Sequence, residues 1–119
     1  MELEKLNVYK IAMELGEKIW NIIKFWDDFS NKTIGRQLIR STDFVAANIA
    51  EGFGRYHFKE NKNFLYYARG SLYETKTWIK KACNRNLIKE DVHEKLINEL
   101  EKLGVKLNNY IASIGKNNH

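Results

Sequence analysis

QLIRSTDFVAANIAEGFGR, Gln37–Arg55, is the stretch whose reading decides the fold. Leu38, Ser41, Val45, Ile49 and Gly52 recur every three or four residues, the period of one helix face. Ile34 extends that stripe upstream and Tyr56 downstream, so the spacing predicts a helix over 31–54 that stops at Gly54. Gly52 sits inside the hydrophobic pattern, although glycine in a helix costs roughly 1 kcal/mol relative to alanine. Asn48 and Glu51 stand beside the apolar stripe, where an unpaired polar group is costly. A second segment, ARGSLYE at Ala68–Glu74, repeats the combination with Gly70 and Ser71. Residues of this kind inside helical patterns call for close packing, subunit assembly or a binding surface.

The flanking sequence supplies three more helices. Over 5–27 a stripe of Val8, Ile11, Ala12, Leu15, Ile19, Ile22, Ile23 and Trp26 keeps helical spacing. Asp27–Asn31 breaks it, and Ser30 or Asn31 is expected to cap the next helix. Over 58–84 the face is Phe64, Leu65, Ala68, Ser71, Leu72, Thr75, Trp78, Ile79 and Ala82, with His57 as a poor cap before it and Asn84-Arg85-Asn86 as the turn after it. Over 89–115 it is Val92, Leu96, Leu100, Leu103, Leu107, Tyr110, Ile111 and Ile114, followed by a polar tail, 116–119, expected to be disordered. Four helices joined by short connections, with no strand pattern and no repeat, predict one all-α domain, an antiparallel up-down-up-down four-helix bundle. The 119 residues contain no proline, which leaves long helices unbroken.

Composition narrows the function classes. Apolar residues make up 44% and charged residues 29%, as in a globular domain with a real core. No apolar run is long enough to span a bilayer, and MELEKLNVYK carries acids where a leader would be apolar, so neither a membrane partner nor a signal peptide is expected. The single cysteine, Cys83, forms no internal disulfide and fits a reducing cytoplasm. His57, His93 and His119 are scattered without metal-ligand spacing, and Cys83 reads as a small buried hydrophobe. Gly52-Phe53-Gly54 follows no strand and is not a phosphate loop. Glu51 and Glu74 read as partners of Asn48, Arg55 or Arg69 in a hydrogen-bonded network at a helix or subunit seam rather than as an acid–base pair. No catalytic residue, cofactor, metal or small-molecule substrate is therefore expected.

Two surfaces stand out. Tyr9, Met13, Gly16 and Trp20 form a second apolar patch on the first helix, which reads either as an oligomer interface or as a wide core stripe. Positive charge concentrates in the middle of the chain: residues 58–86 hold seven Lys/Arg against two Asp/Glu. Lys62, Tyr66, Arg69, Tyr73, Lys76 and Lys80 share a face of the third helix, and Arg36 and Arg40 share a line on the second, with Arg55 at its end. Cations neutralise phosphates and tyrosines stack on unpaired bases, so this surface reads as an RNA or DNA contact. The alternatives are a solvated face with extended basic side chains, and an assembly or adaptor surface that binds another protein.

NIAEGFGR at 48–55 followed by ARGSLYE at 68–74 resembles the signature of the 23S rRNA intervening-sequence proteins, a four-helix-bundle family also labelled S23 ribosomal proteins. VYKIAMEL at 8–15, QLIRS at 37–41 and the leucine-rich last helix carry the likeness over nearly the whole chain. The resemblance implies a bundle that assembles as a ring-like homopentamer. It also implies similarity to the accessory proteins of diversity-generating retroelements, which are basic pentamers that bind nucleic acid and a reverse transcriptase. The family's signature falls on Arg40, Asn48, Glu51, Gly52, Gly54, Arg55, Arg69, Gly70, Ser71 and Glu74. Ala46 and His57 depart from the family's usual proline and Ser/Thr at those places, and the loop after the first helix lacks its common proline. Some members are encoded in insertions within bacterial 23S rRNA genes, which is a genomic position and not an activity.

Overall fold

The computed structural model describes residues 1–116 and is all-helical. A 3₁₀ turn, Leu3–Lys5, leads into α1, Asn7–Ile23. A helical turn at Asp28–Ser30 and a π-helical turn at Asn31–Gly35 run into α2, Arg36–Phe53. Then follow α3, Phe58–Asn84, and α4, Glu90–Ser113. Cross-helix pairs fix the directions. Gly16 of α1 lies against Asp43 of α2, and Gly52 of α2 against Asn61 of α3. Arg69 of α3 bonds Asn108 of α4, and Lys18 of α1 pairs with Glu99 of α4. Each later helix runs back along the one before it, and α4 closes on α1, which is an antiparallel up-down-up-down bundle of about 53 × 23 × 21 Å.

The core is the predicted one. Ile19, Ile49, Leu65, Ile79, Leu100, Leu103 and Leu107 are fully buried, and each lies on the apolar stripe of its helix. Burying side chains of this size stabilises by about 1.5–3 kcal/mol each, which is what holds four amphipathic helices together. Ala12 and Ala68 belong to the same core, and Ala82 is fully buried as well.

The helix ends differ from the expected ones for local reasons. The first helix ends at Ile23 rather than near 27, and the second begins before residue 31, because Asp27 and neither Ser30 nor Asn31 is the cap. The Asp27 carboxylate accepts the Ser30 N–H at 3.1 Å, and hydrogen bonding from the Ser30 side chain, then from that N–H, holds its pKa below the ordinary aspartate value. Asn31 instead donates through Nδ2 to the Ile23 carbonyl, closing the end of α1. Tyr56, expected on the α2 stripe, is 91% exposed because the helix has ended. Gly54 stands at the expected stop but holds φ −77°, so it is not a left-handed cap. Asn86, with φ 61°, is one: its N–H donates to the Cys83 carbonyl and that of Leu87 to the Ala82 carbonyl. The last helix ends at Ser113, and of the tail expected to be disordered, residues 117–119 lie outside the described residues.

Candidate nucleic-acid interface

The α2/α3 seam accounts for Gly52. A Cβ there would fall 2.7 Å from Asn61 Oδ1, 2.9 Å from the Asn61 carbonyl oxygen and 3.2 Å from Phe64 Cβ. Further along the seam the buried Thr75 hydroxyl lies 2.9 Å from Ser41 Oγ and 2.8 Å from the Ser71 carbonyl. Ser41 and Thr42 donate to the Leu38 carbonyl, so these interior hydroxyls have partners.

The other signature residues do not form one network within the chain. Asn48 donates to the Phe44 carbonyl of its own helix. Arg55 pairs with Glu51 at 2.6 Å, approaches Glu60 at 3.7 Å and lies over the Phe64 ring. Glu74 accepts from Trp78 Nε1 at 2.9 Å. Arg69 donates to Asn108 of α4 at 3.0 Å, away from the seam with α2. Gly70 is exposed, and a Cβ there would meet nothing within 4 Å, so no contact within the chain explains it.

The basic face of α3 is continuous and borders α4. Lys62 and Tyr66 line a groove with Phe58, Ile114 and Gly115. Arg69, Tyr73 and Lys76 line the next one with Glu101, Val105 and Asn108. Cation and ring alternate and already touch: Arg69 Cζ is 5.0 Å from the Tyr66 ring centre, and Lys76 Nζ is 4.9 Å from that of Tyr73. Lys80 continues the line in the open. Arg36 and Arg40 are exposed on α2, where Arg40 lies over Phe44, and no contact among the described residues joins them to the α3 line. The expected basic surface is thus an α3 stripe with two arginines elsewhere.

On α1, Met13 and Trp20 are exposed and Tyr9 is half-buried. Gly16 belongs to the packing of this chain instead, because a Cβ there would fall 2.9 Å from Asp43 Oδ1. Burial, with Glu17 nearby, raises the Asp43 pKa.

These signature positions lie within the match to a family model described as "23S rRNA-intervening sequence protein", which covers residues 4–109. The chain belongs to the 23S rRNA-intervening sequence protein family. A solved structure from Bacteroides thetaiotaomicron, a protein of unknown function from the S23 ribosomal protein family, has the same fold. It superposes with a TM-score of 0.79 at 23% identity over 87% of this chain and 97% of the other. No curated protein matches. Family membership thus agrees with the resemblance of the two motifs, and the neighbour supports the bundle.

One cluster escaped the sequence reading. Spacing among the histidines alone points to no metal site, but the structure gathers His93 with Cys83 and Glu90 where α3 hands over to α4. The pattern Cys83-x6-Glu90-x2-His93 crosses a turn legible in the sequence, and that crossing is the signal that could have found it.

Proposed function

We propose that the chain is a non-enzymatic, self-associating protein, a ring-like pentamer when assembled, that holds nucleic acid along the α3 stripe. The observation that carries this reading is the alternation of cation and ring from Lys62 through Tyr66, Arg69, Tyr73 and Lys76 to Lys80. The stripe spans about 27 Å at 1.5 Å per residue, long enough to follow a strand of several nucleotides. Its cations suit phosphates, and its exposed tyrosine rings suit stacking on bases. No helix among the described residues is long and apolar enough to cross a membrane.

The test is fluorescence anisotropy with labelled single-stranded RNA and duplex DNA across a salt series. Four stripe cations acting together on a single strand give a slope of up to about −3 in log K against log salt. Tyr66→Ala and Tyr73→Ala each cost about 1–3 kcal/mol of binding if bases stack there. Arg36→Gln with Arg40→Gln measures whether α2 contributes. Absence of binding at ~50 mM salt, or binding unchanged after Lys62, Arg69, Lys76 and Lys80 are neutralised, ends the proposal.

A second reading is favoured by Gly70. An exposed mid-helix glycine surrounded by empty space suits the close approach of another chain, so the ring itself, as an adaptor for a protein, is the alternative. A stoichiometric protein partner recovered in pull-downs and resistant to nuclease would select it.

A further inference from the structure

We propose that Cys83, Glu90 and His93 form a binding site for one zinc-class divalent cation, stapling the end of α3 to the first turn of α4. The three side chains each offer one ligand atom, and all three atoms lie within 4.8 Å of one another. Cys83 Sγ is 3.3 Å from Glu90 Oε2, and His93 Nδ1 is 3.8 Å from Glu90 Oε1. Zinc bond lengths and a tetrahedral angle place such ligand pairs about 3.3–3.6 Å apart, so closing on an ion needs only small side-chain movements. A thiolate, an imidazole and a carboxylate together select zinc-like ions over magnesium or calcium, which take oxygen.

The His93 nitrogen is the second, independent sign. Nδ1 is buried and has no hydrogen-bond partner, although a buried polar atom normally has one. The Glu90 oxygen at 3.8 Å is too far to be that partner. A cation between the two would satisfy both. The backbone already sets the approach: the left-handed Asn86 turn brings Cys83 back over the start of α4. Glu90 and His93, three apart on that helix, share a face. Glu90 is largely exposed, which leaves the fourth coordination position open to water or to a ligand from outside.

The thiolate, and not the thiol, is the form of Cys83 that holds a metal ion. Binding therefore exchanges the thiol proton for the cation: the S–H bond breaks, the S–metal bond forms, and one proton leaves to solvent.

The experiment titrates the full chain, kept reduced by a phosphine, with Co²⁺ and then displaces the cobalt with Zn²⁺ in competition with a chromophoric chelator. One ion per chain and a thiolate-to-cobalt charge-transfer band in the near ultraviolet are expected. Cys83→Ser abolishes the band. Glu90→Gln, on an exposed side chain that does not hold the fold, and His93→Gln each weaken binding at least about tenfold. His57→Gln leaves it unchanged. A wild-type chain without the band, or one whose zinc affinity survives both Cys83→Ser and Glu90→Gln, overturns the assignment.

Discussion

Gly52 and Gly70 look alike in the sequence, each a glycine within an apolar helical pattern, and they sit in opposite surroundings. Around Gly52 the chain is closed: Asn61 and Phe64 of α3 occupy the space a side chain would need. Around Gly70 it is open, with nothing within 4 Å of the missing Cβ. The first glycine is explained by the interior of one molecule, so its cost in helix propensity is offset locally. The second is offset by nothing in the single chain. A family signature therefore mixes residues that make the fold with residues that face outward, and only the surroundings separate them.

The largest expected effect tests the closed side. Gly52→Ala puts a Cβ 2.9 Å from a backbone carbonyl that cannot rotate away, so α2 and α3 must part. The loss is about 1–3 kcal/mol, read as a lower urea midpoint. An unchanged midpoint would mean that the seam yields without cost, and the contrast with Gly70 would collapse. Thr75→Val comes next. It keeps the shape and removes the hydroxyl that meets Ser41 and the Ser71 carbonyl, at about 1 kcal/mol. Ser41→Ala in the same background should then cost less than it does alone, because the two hydroxyls share one contact. Additive losses would show that the seam is held by apolar packing only.

The fold was legible because its evidence is periodic. Leu38, Val45 and Ile49 on α2, and Leu65, Leu72 and Ile79 on α3, are buried where a 3.6-residue period places them. The helix starts were less legible because a cap depends on which of several short polar side chains reaches a free N–H, and here Asp27 does so ahead of Ser30 and Asn31. The candidate surface was half legible. The α3 stripe lies on one helix, so helical geometry alone assembles it. Whether Arg36 and Arg40 join it depends on how α2 rolls against α3, which no pattern within one helix contains. Cys83 and His93 come together only through the left-handed Asn86 turn, a backbone event between two stripes. Of the network expected among Asn48, Glu51, Arg55, Arg69 and Glu74 at a helix or subunit seam, the single chain holds only the Glu51–Arg55 pair. Arg55 also reaches Glu60 and Phe64 across the seam, but Asn48 and Glu74 each bond a neighbour one helical turn away and Arg69 turns to Asn108 of α4.

The smallest expected effect is the most discriminating. Gly70→Ala meets no atom within 4 Å, so in the single chain it should stabilise by about 0.5–1 kcal/mol through restored helix propensity alone. Unfolding measured in dilute protein, together with sedimentation equilibrium of the 14.1 kDa chain and its variant, separates three outcomes. A more stable chain with unchanged association means that the open side carries no packing role, and the second reading loses its observation. A more stable chain that no longer associates means that a second copy packs against Gly70. Tyr66 and Tyr73, within one turn of it on either side, would then lie at the rim of a subunit seam, and nucleic acid would be held between subunits rather than along one helix. A less stable chain means that the space around Gly70 is filled within the molecule, and the two glycines would after all be doing the same work.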